Sequence, residues 1–196
     1  MLKPVRQHGF TLIELMVALV IGLVLMLGLT TFLINNIRNN SDTLKAIRLN
    51  QEMRSTMMLM SRELRRAGYW ASTASATNPF QTMTTSTAGC VLYSYDRWST
   101  ASATVPDNVK YGFLQASGAV YMRSSGSSYS CTPGANNVWE AVTDDAVVNI
   151  TALSFAPDSA SGTIAITLAG ELKNASEVKQ ALTETVMLEN GPLTFN

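Results

Sequence analysis

One carboxylate, Glu14, interrupts an apolar run that extends from residue 10 to residue 34. A charged side chain costs about 3 kcal/mol near the centre of a bilayer and less near its surface, so a carboxylate in such a run indicates a function. Three roles fit the residues: an incidental position near the membrane surface, a negative charge favoured by the dipole of a helix N-terminus, or a partner for a positive charge on another subunit. The residues alone leave these three roles open.

Residues suited to catalysis or metal binding are sparse in the rest of the chain. Nucleophilic catalysis needs a base beside a Ser, Cys or Thr, but the only histidine, His8, precedes the apolar run. There is no CxxC pair, no GxxxxGK[ST] loop and no GxGxxG loop. The adjacent Asp144 and Asp145 are interpreted as a turn or a solvated face, with calcium binding as the minor alternative. We therefore expect a protein that is not an enzyme and that has neither a metal site nor a cofactor.

The apolar run is long enough to cross a membrane as a helix. Residues 12 to 34 would span roughly 35 Å, against about 30 Å for the core of a bilayer. Lys3 and Arg6 precede the run, so the positive-inside rule keeps the start of the chain in the cytoplasm. A secretory signal is cut after its apolar core, whereas here the possible cut at Gly9 comes before it. The apolar run would therefore remain in the mature protein, and a plain signal anchor is the alternative.

The residues from Gly9 to Glu14, GFTLIE, resemble the leader junction of type IV prepilins and of the pseudopilins of type II secretion. The resemblance implies that a leader peptidase cuts between Gly9 and Phe10 and methylates the new N-terminus at Phe10. It also implies that the carboxylate of Glu14 pairs with the N-terminal amine of a neighbouring subunit. Among the three roles of this carboxylate, the resemblance favours the third, in which the unpaired charge drives the subunit from the membrane into a filament.

The helix is predicted to continue beyond the apolar run with an amphipathic pattern. Apolar residues recur there at steps of four and three, which is one stripe of a helix, at Leu49, Met53, Met57, Met60 and Leu64. The charged residues of this segment, Glu63 among them, fall mostly outside the stripe. We predict one helix from about Thr11 to about Ala67, ended by Gly68 as a C-cap. The segment RRAGYW at 65–70 resembles the end of this helix in minor pilins of the PilW kind.

Short strands are predicted after residue 70. Residues 71–89 are rich in Ser, Thr and Ala and are predicted to form a loop, and a similar patch at 124–130 is predicted to form a hairpin loop. Residues 158–162 predict a turn. The candidate strands are Val91–Tyr95, Ala119–Arg123, Val147–Phe155, Thr163–Ala169 and Leu182–Leu188. The expected fold class is α+β, with a long N-terminal helix packed on a mostly antiparallel sheet, which resembles the type IV pilin fold.

The charges of the chain are unevenly distributed although they sum to zero. Residues 10–70 carry seven Lys or Arg against four acids, a net +3, whereas residues 71–196 carry five against ten, a net −5. A nucleic-acid receptor should present a basic surface. We therefore expect no direct contact of the acidic part with nucleic acid.

The predicted organisation has four parts: a leader peptide at 1–9, a transmembrane or filament-core helix at 10–34, the amphipathic half of the same helix at 35–69, and a periplasmic or extracellular head at 70–196. Cys90 and Cys131 both lie in this head. An oxidising compartment permits a disulfide between them. A pair of buried free thiols is the alternative.

The resemblance implies a minor type IV pilin that co-assembles with other minor pilins to prime or cap a pilus. Such a protein would start in the inner membrane, with a cytoplasmic leader and a periplasmic head, and would then enter the filament. Its expected partners are the prepilin peptidase and methylase, the inner-membrane assembly platform, other minor pilins and the major pilin. The alternative is a minor, J-like pseudopilin at the tip of a type II secretion pseudopilus. A major pilin and an anchored receptor or adhesin are further alternatives.

Overall fold

The computed structural model of the chain describes residues 9–71, 77–86, 89–97 and 105–196. Most of the predicted leader and parts of the predicted loop at 71–89 lie outside the described residues. The chain divides between Leu44 and Lys45 into two compact units. The second half of the long helix therefore belongs to the same unit as the strands.

A single helix, α1, spans Leu12–Arg65. Its N-terminal part is long and apolar enough to cross a membrane. Thr30 and Thr31 are polar residues in this part, and their hydroxyls donate to the carbonyl oxygens four residues earlier, at 2.8 and 2.9 Å. A hydroxyl bonded in this way needs no water. These threonines are therefore compatible with an apolar environment.

The C-terminal end of α1 is closed by contacts from distant parts of the chain. The helix ends at Arg65, two residues before the predicted boundary, and Gly68 follows with φ +78°. A Cβ atom at Gly68 would lie 2.6 Å from Cδ2 of Leu193, so both the backbone conformation and the space require glycine. The side-chain amide of Asn190 donates to the carbonyl oxygens of Arg65 and Ala67, each at 3.1 Å. These bonds satisfy carbonyls that a helix end leaves without partners.

The described strands form two sheets. The six-stranded sheet has the order β5-β4-β3-β2-β1-β9 and the three-stranded sheet has the order β6-β7-β8, with β1 and β9 as the one parallel pair among the described strands. A short 3₁₀ helix at Asp107–Val109 precedes β3. The strands are β1 (Thr82–Ser86), β2 (Cys90–Ser94), β3 (Lys110–Ala116), β4 (Ala119–Ser125), β5 (Val138–Ala141), β6 (Val148–Asp158), β7 (Thr163–Leu172), β8 (Ala175–Met187) and β9 (Thr194–Phe195).

The predicted α+β layout is confirmed, as are all five predicted strands, which correspond to β2, β4, β6, β7 and β8. One expectation was wrong: the predicted loop at 71–89 contains the strand β1. The division of the strands between two sheets was not predicted. The sequence of β1, TMTTS, has one apolar residue, so no alternating pattern marks it. It becomes a strand because it pairs with β2 on one side and with β9 on the other.

The apolar stripe of α1 lies in the core of the second unit, as predicted. All five of its residues are at most 4% exposed. In β7 the predicted alternation is also present, since Ile164, Ile166 and Leu168 are fully buried between half-exposed neighbours. Gly170 lets the helix approach this strand, because a Cβ atom there would lie 3.1 Å from the sulfur of Met53. Each fully buried side chain of this kind contributes about 1.5–3 kcal/mol, so the stripe attaches the helix firmly to the sheet.

One charged residue of α1 is buried with the stripe. Glu63 is 5% exposed, and its carboxylate accepts a hydrogen bond of 2.9 Å from the hydroxyl of Tyr95. Arg62 and Arg66 lie 3.5 and 3.4 Å from its other oxygen. The guanidinium of Arg66 also lies over the ring of Tyr95, 4.5 Å from its centre. Burial and the bond to Glu63 raise the pKa of Tyr95. The helix pattern did not reveal this contact, because the partner is 32 residues away along the chain.

A disulfide and a buried arginine organise the connection between β4 and β5. Cys90 and Cys131 are bonded, with their Cα atoms 6.0 Å apart. Arg123 is 1% exposed, and its Nε donates to Oδ1 of Asn137 at 2.9 Å. Its terminal nitrogens donate to the backbone carbonyl of Lys110 in β3 and to those of Gly126 and Ser128 at the start of the connection. A buried charge is tolerated only when it is hydrogen-bonded, and here these carbonyls and the side chain of Asn137 satisfy the guanidinium.

Replacing both cysteines (Cys90→Ala/Cys131→Ala) should lower the free energy of unfolding by up to about 4 kcal/mol. The bond joins residues 41 positions apart, so its loss increases the conformational freedom of the unfolded chain. Urea unfolding of the full chain in detergent, followed by tryptophan fluorescence, measures the effect. The wild type treated with a reductant should behave like the double variant. An unchanged urea midpoint in both would show that the bond does not constrain the unfolded chain.

Candidate functional site

The predicted cleavage site lies just outside the helix. Gly9 and Phe10 are both exposed and precede the first helical residue, Leu12, by three and two positions. The side chain of Phe10 is 89% exposed. A peptide bond outside a helix can be bound by a peptidase without breaking intrahelical hydrogen bonds. The geometry at Gly9 and Phe10 therefore suits cleavage at this position.

The carboxylate of Glu14 is held by the residue that starts the helix. Thr11 is the N-cap of α1, and its backbone N–H and its hydroxyl both donate to Oε2 of Glu14 at 3.0 Å. In return the N–H of Glu14 donates to the hydroxyl of Thr11 at 3.3 Å. This reciprocal pattern is a capping box, which satisfies N–H groups that the helix start leaves unbonded. Among the described residues, nothing donates to the second oxygen of Glu14, Oε1.

The capping box makes Thr11 a residue of the candidate site. No role was predicted for Thr11, although the pattern Thr-x-x-Glu before an apolar run is the signature of a capping box. The structure brings Thr11 and Glu14 together at the first turn of α1, and Gly9 and Phe10 directly precede this turn along the chain. The carboxylate is therefore held at the positive end of the helix dipole, next to the predicted new N-terminus.

The part of α1 from Leu12 to Ile34 is apolar on every side of the helix. From Leu12 to Ile34 each large apolar side chain is between 45% and 79% exposed. A helix that is apolar all round is typical of a membrane span or of a helix buried among others. Within the described residues nothing covers these side chains, and the segment is long and apolar enough to cross a membrane.

The acidic pair at Asp144 and Asp145 lies in a turn, as predicted. The side chain of Asp144 accepts a hydrogen bond of 2.9 Å from the N–H of Ala146, which is typical of a turn that begins with aspartate. The N–H of Asp144 donates to the carboxylate of Glu52 on α1 at 3.0 Å. In the part of the chain that the structure describes, no group of three or more His, Cys, Asp or Glu side chains could hold a metal ion.

Two protein families match the chain. Residues 5–30 match the family described as Prokaryotic N-terminal methylation motif, and this range contains Gly9, Phe10 and Glu14. Residues 42–188, which are 147 of the 196 residues, match the family described as Prepilin peptidase-dependent protein B. No curated protein and no solved structure matches the chain.

Replacing Thr11 by valine should loosen the start of the helix. The change removes the hydroxyl that bonds Glu14, and loss of an N-cap costs about 1 kcal/mol, which corresponds to roughly fivefold faster amide exchange in the first turn. Hydrogen–deuterium exchange of the full chain in detergent measures this effect. Thr31→Val is the matched control, because its hydroxyl bonds a carbonyl in the middle of the helix. Equal exchange in the first turn of Thr11→Val and wild type would contradict the capping box.

Proposed function

Because this chain belongs to the family of prepilin peptidase-dependent protein B, a family of type IV pilin-like proteins, we propose that it is a minor pilin. Pilin-like proteins are structural components and not enzymes. Its apolar helix and its N-terminal methylation motif fit membrane anchoring and incorporation into a pilus. In this proposal the protein co-assembles with other minor pilins and primes or caps a type IV pilus.

Processing precedes assembly in this proposal. The prepilin peptidase removes the leader at 1–9 by cutting between Gly9 and Phe10, and it methylates the new amine of Phe10. The position of the junction supports this step, since both residues are exposed and lie before the helix. The cut leaves the new amine on Phe10, four residues before Glu14. In each subunit the charged amine then lies just before the helix, and the carboxylate lies in its first turn.

The observation that carries the proposal is the uncovered apolar helix with one carboxylate in its first turn. Lipid covers residues 12–34 before assembly, and the equivalent helices of neighbouring subunits cover them in the filament. In lipid the charge of Glu14 is costly. Pairing with the amine of Phe10 on a neighbour removes this cost and so favours the filament. The capping box occupies Oε2 and leaves Oε1 for that amine.

The predicted parts of the chain take separate roles in this scheme. Residues 10–34 form the transmembrane and then the filament-core segment, residues 35–69 connect it to the head, and the head at 70–196 is periplasmic and then extracellular. The leader stays cytoplasmic because it carries Lys3 and Arg6. The disulfide supports an oxidising compartment for the head. The peptidase, the inner-membrane assembly platform, the other minor pilins and the major pilin are the partners.

Deleting this protein should sharply lower the amount of major pilin sheared from cells of a strain that cannot retract its pili. A priming subunit is needed for each new filament, and blocking retraction prevents short filaments from being lost. Immunoblots of the sheared fraction measure the effect, with total cellular major pilin as the control. Wild-type amounts of sheared pilin would contradict the priming role and favour the minor pseudopilin of a type II secretion system.

Two substitutions of Glu14 separate capping from charge pairing. Glu14→Gln keeps a side-chain oxygen for the capping box but removes the charge, so it should enter sheared filaments at least tenfold less than wild type. Glu14→Ala should fail in the same way. Thr11→Val keeps the charge, loses the cap and should still be incorporated. Immunoblots of this protein in the sheared and membrane fractions report the outcome, and normal incorporation of Glu14→Gln would exclude charge pairing as the driving force.

A further inference from the structure

The strand β8 presents an open edge of the three-stranded sheet. Among the described strands it pairs with β7 alone. From Gln180 to Met187 this pairing is continuous, and the one irregularity lies earlier, beside Leu172. The stretch 180–187 has no proline, and Glu184 is its single charged residue. Edge strands are usually protected against pairing by lysines, prolines or bulges, and this stretch has none of these.

A groove lies between this edge and α1. It has a volume of about 510 Å³, and β8 contributes Leu182 and Glu184 to its lining. The helix contributes three arginines, Arg54, Arg62 and Arg65, together with methionines. Among the methionines, Met58 is 70% exposed. The groove therefore combines a surplus of positive charge with an uncovered apolar patch.

The positive charge of the groove is only partly neutralised within the described part of the chain. Arg65 has no carboxylate within 4 Å there, and Arg54 donates to the neutral side chain of Asn50. Arg62 contacts Glu63, but its own side chain is 69% exposed. The lining of the groove holds three arginines and one carboxylate, that of Glu184. An acidic ligand would therefore gain charge-assisted hydrogen bonds at this site.

We propose that the open edge of β8 and the arginine-lined groove together bind an extended acidic segment of a neighbouring pilin-like subunit, which adds to the sheet as a fourth strand. The backbone N–H and C=O groups along the open edge of β8 would form hydrogen bonds with the added strand, as in other cases of strand addition. The arginines select aspartate or glutamate, and the patch of Met58 and Leu182 accepts one apolar side chain. A lipid headgroup could use the arginines but not the backbone groups of an edge strand. The identity of the partner as a filament subunit rests on the proposed function.

Photo-crosslinking of the full chain in the cells that produce it tests this proposal. A photoreactive phenylalanine analogue replaces Thr183 or Thr185, both exposed on β8, and in the control it replaces Ser124, which is exposed on β4 of the other sheet. We expect a protein adduct from β8 and not from the control. Mass spectrometry should map the adduct to a segment of the partner that carries at least two acidic residues. An adduct with lipid, an adduct on a segment without acids, or no adduct would overturn the proposal.

Charge reversal tests the role of the arginines. Arg65→Glu combined with Arg54→Glu should lower the adduct yield at least tenfold. Replacing the mapped acidic residues of the partner by lysine should restore it. Arg48→Glu is the matched control for Arg65→Glu, because it is an exposed arginine of the same helix that does not line this groove. Unchanged yield in the double variant, with thermal unfolding like wild type, would show that the groove does not select acids.

The outcome separates this inference from the proposed function. If deletion of the protein abolishes sheared pili but β8 gives no adduct, the groove proposal fails and the minor pilin proposal stands. If pili are unaffected and the adduct maps to an acidic segment of a pseudopilin, the groove proposal stands and the type IV pilus assignment fails. The Glu14→Gln variant provides a further check of this separation. Its substitution lies outside the unit that contains β8 and the groove, so the groove itself is unchanged in this variant.

Discussion

The packing of one apolar stripe of α1 into the core of the second unit is the interaction on which the rest of the structure depends. Between its two ends a helix satisfies its own backbone, but its apolar side chains need to be covered by something else. From Leu49 to Leu64 the sheets provide that cover, and every residue of the stripe is almost fully buried. From Leu12 to Ile34 no described residue of the chain does. The apolar side chains of the same helix are therefore covered in its second half and uncovered in its first half, which is long and apolar enough to cross a membrane.

The start of the helix shows how one carboxylate can have two compatible roles. Glu14 caps the helix through one oxygen, which is a local interaction that any chain with Thr-x-x-Glu can make. The cap also holds the side chain in one position, so a later ion pair with an amine would lose less rotamer freedom on forming. The role of Glu14 at the helix N-terminus and its proposed role as a partner for a positive charge on another subunit are thus not in conflict. The cap prepares the geometry, and the charge supplies the driving force that we propose for assembly.

Two buried charges stabilise the arrangement of the second unit, each by a different means. Glu63 is satisfied by a tyrosine hydroxyl and two arginines, and Arg123 by an amide oxygen and loop carbonyls. Removing a partner from either would leave a buried charge without compensation, which is costly. These contacts join α1 to Tyr95, which directly follows β2, and join β4 to β3 and to the loop that the disulfide closes. Arg62 and Arg65 lie on the exposed side of the same helix, where they line the groove beside β8.

The sequence by itself determined the features that depend on local pattern: the helix to within two residues of its ends, its buried stripe, five of the strands, and the motif from Gly9 to Glu14. Helix period, capping and strand alternation are all set by residues a few positions apart, so they can be read along the chain. Only the tertiary structure decided which strands share a sheet, that TMTTS pairs as β1, that Glu63 is buried, and that β8 has an open edge beside three arginines. Each of these depends on hydrogen bonds and contacts between residues far apart in the sequence, and no local pattern encodes the partner.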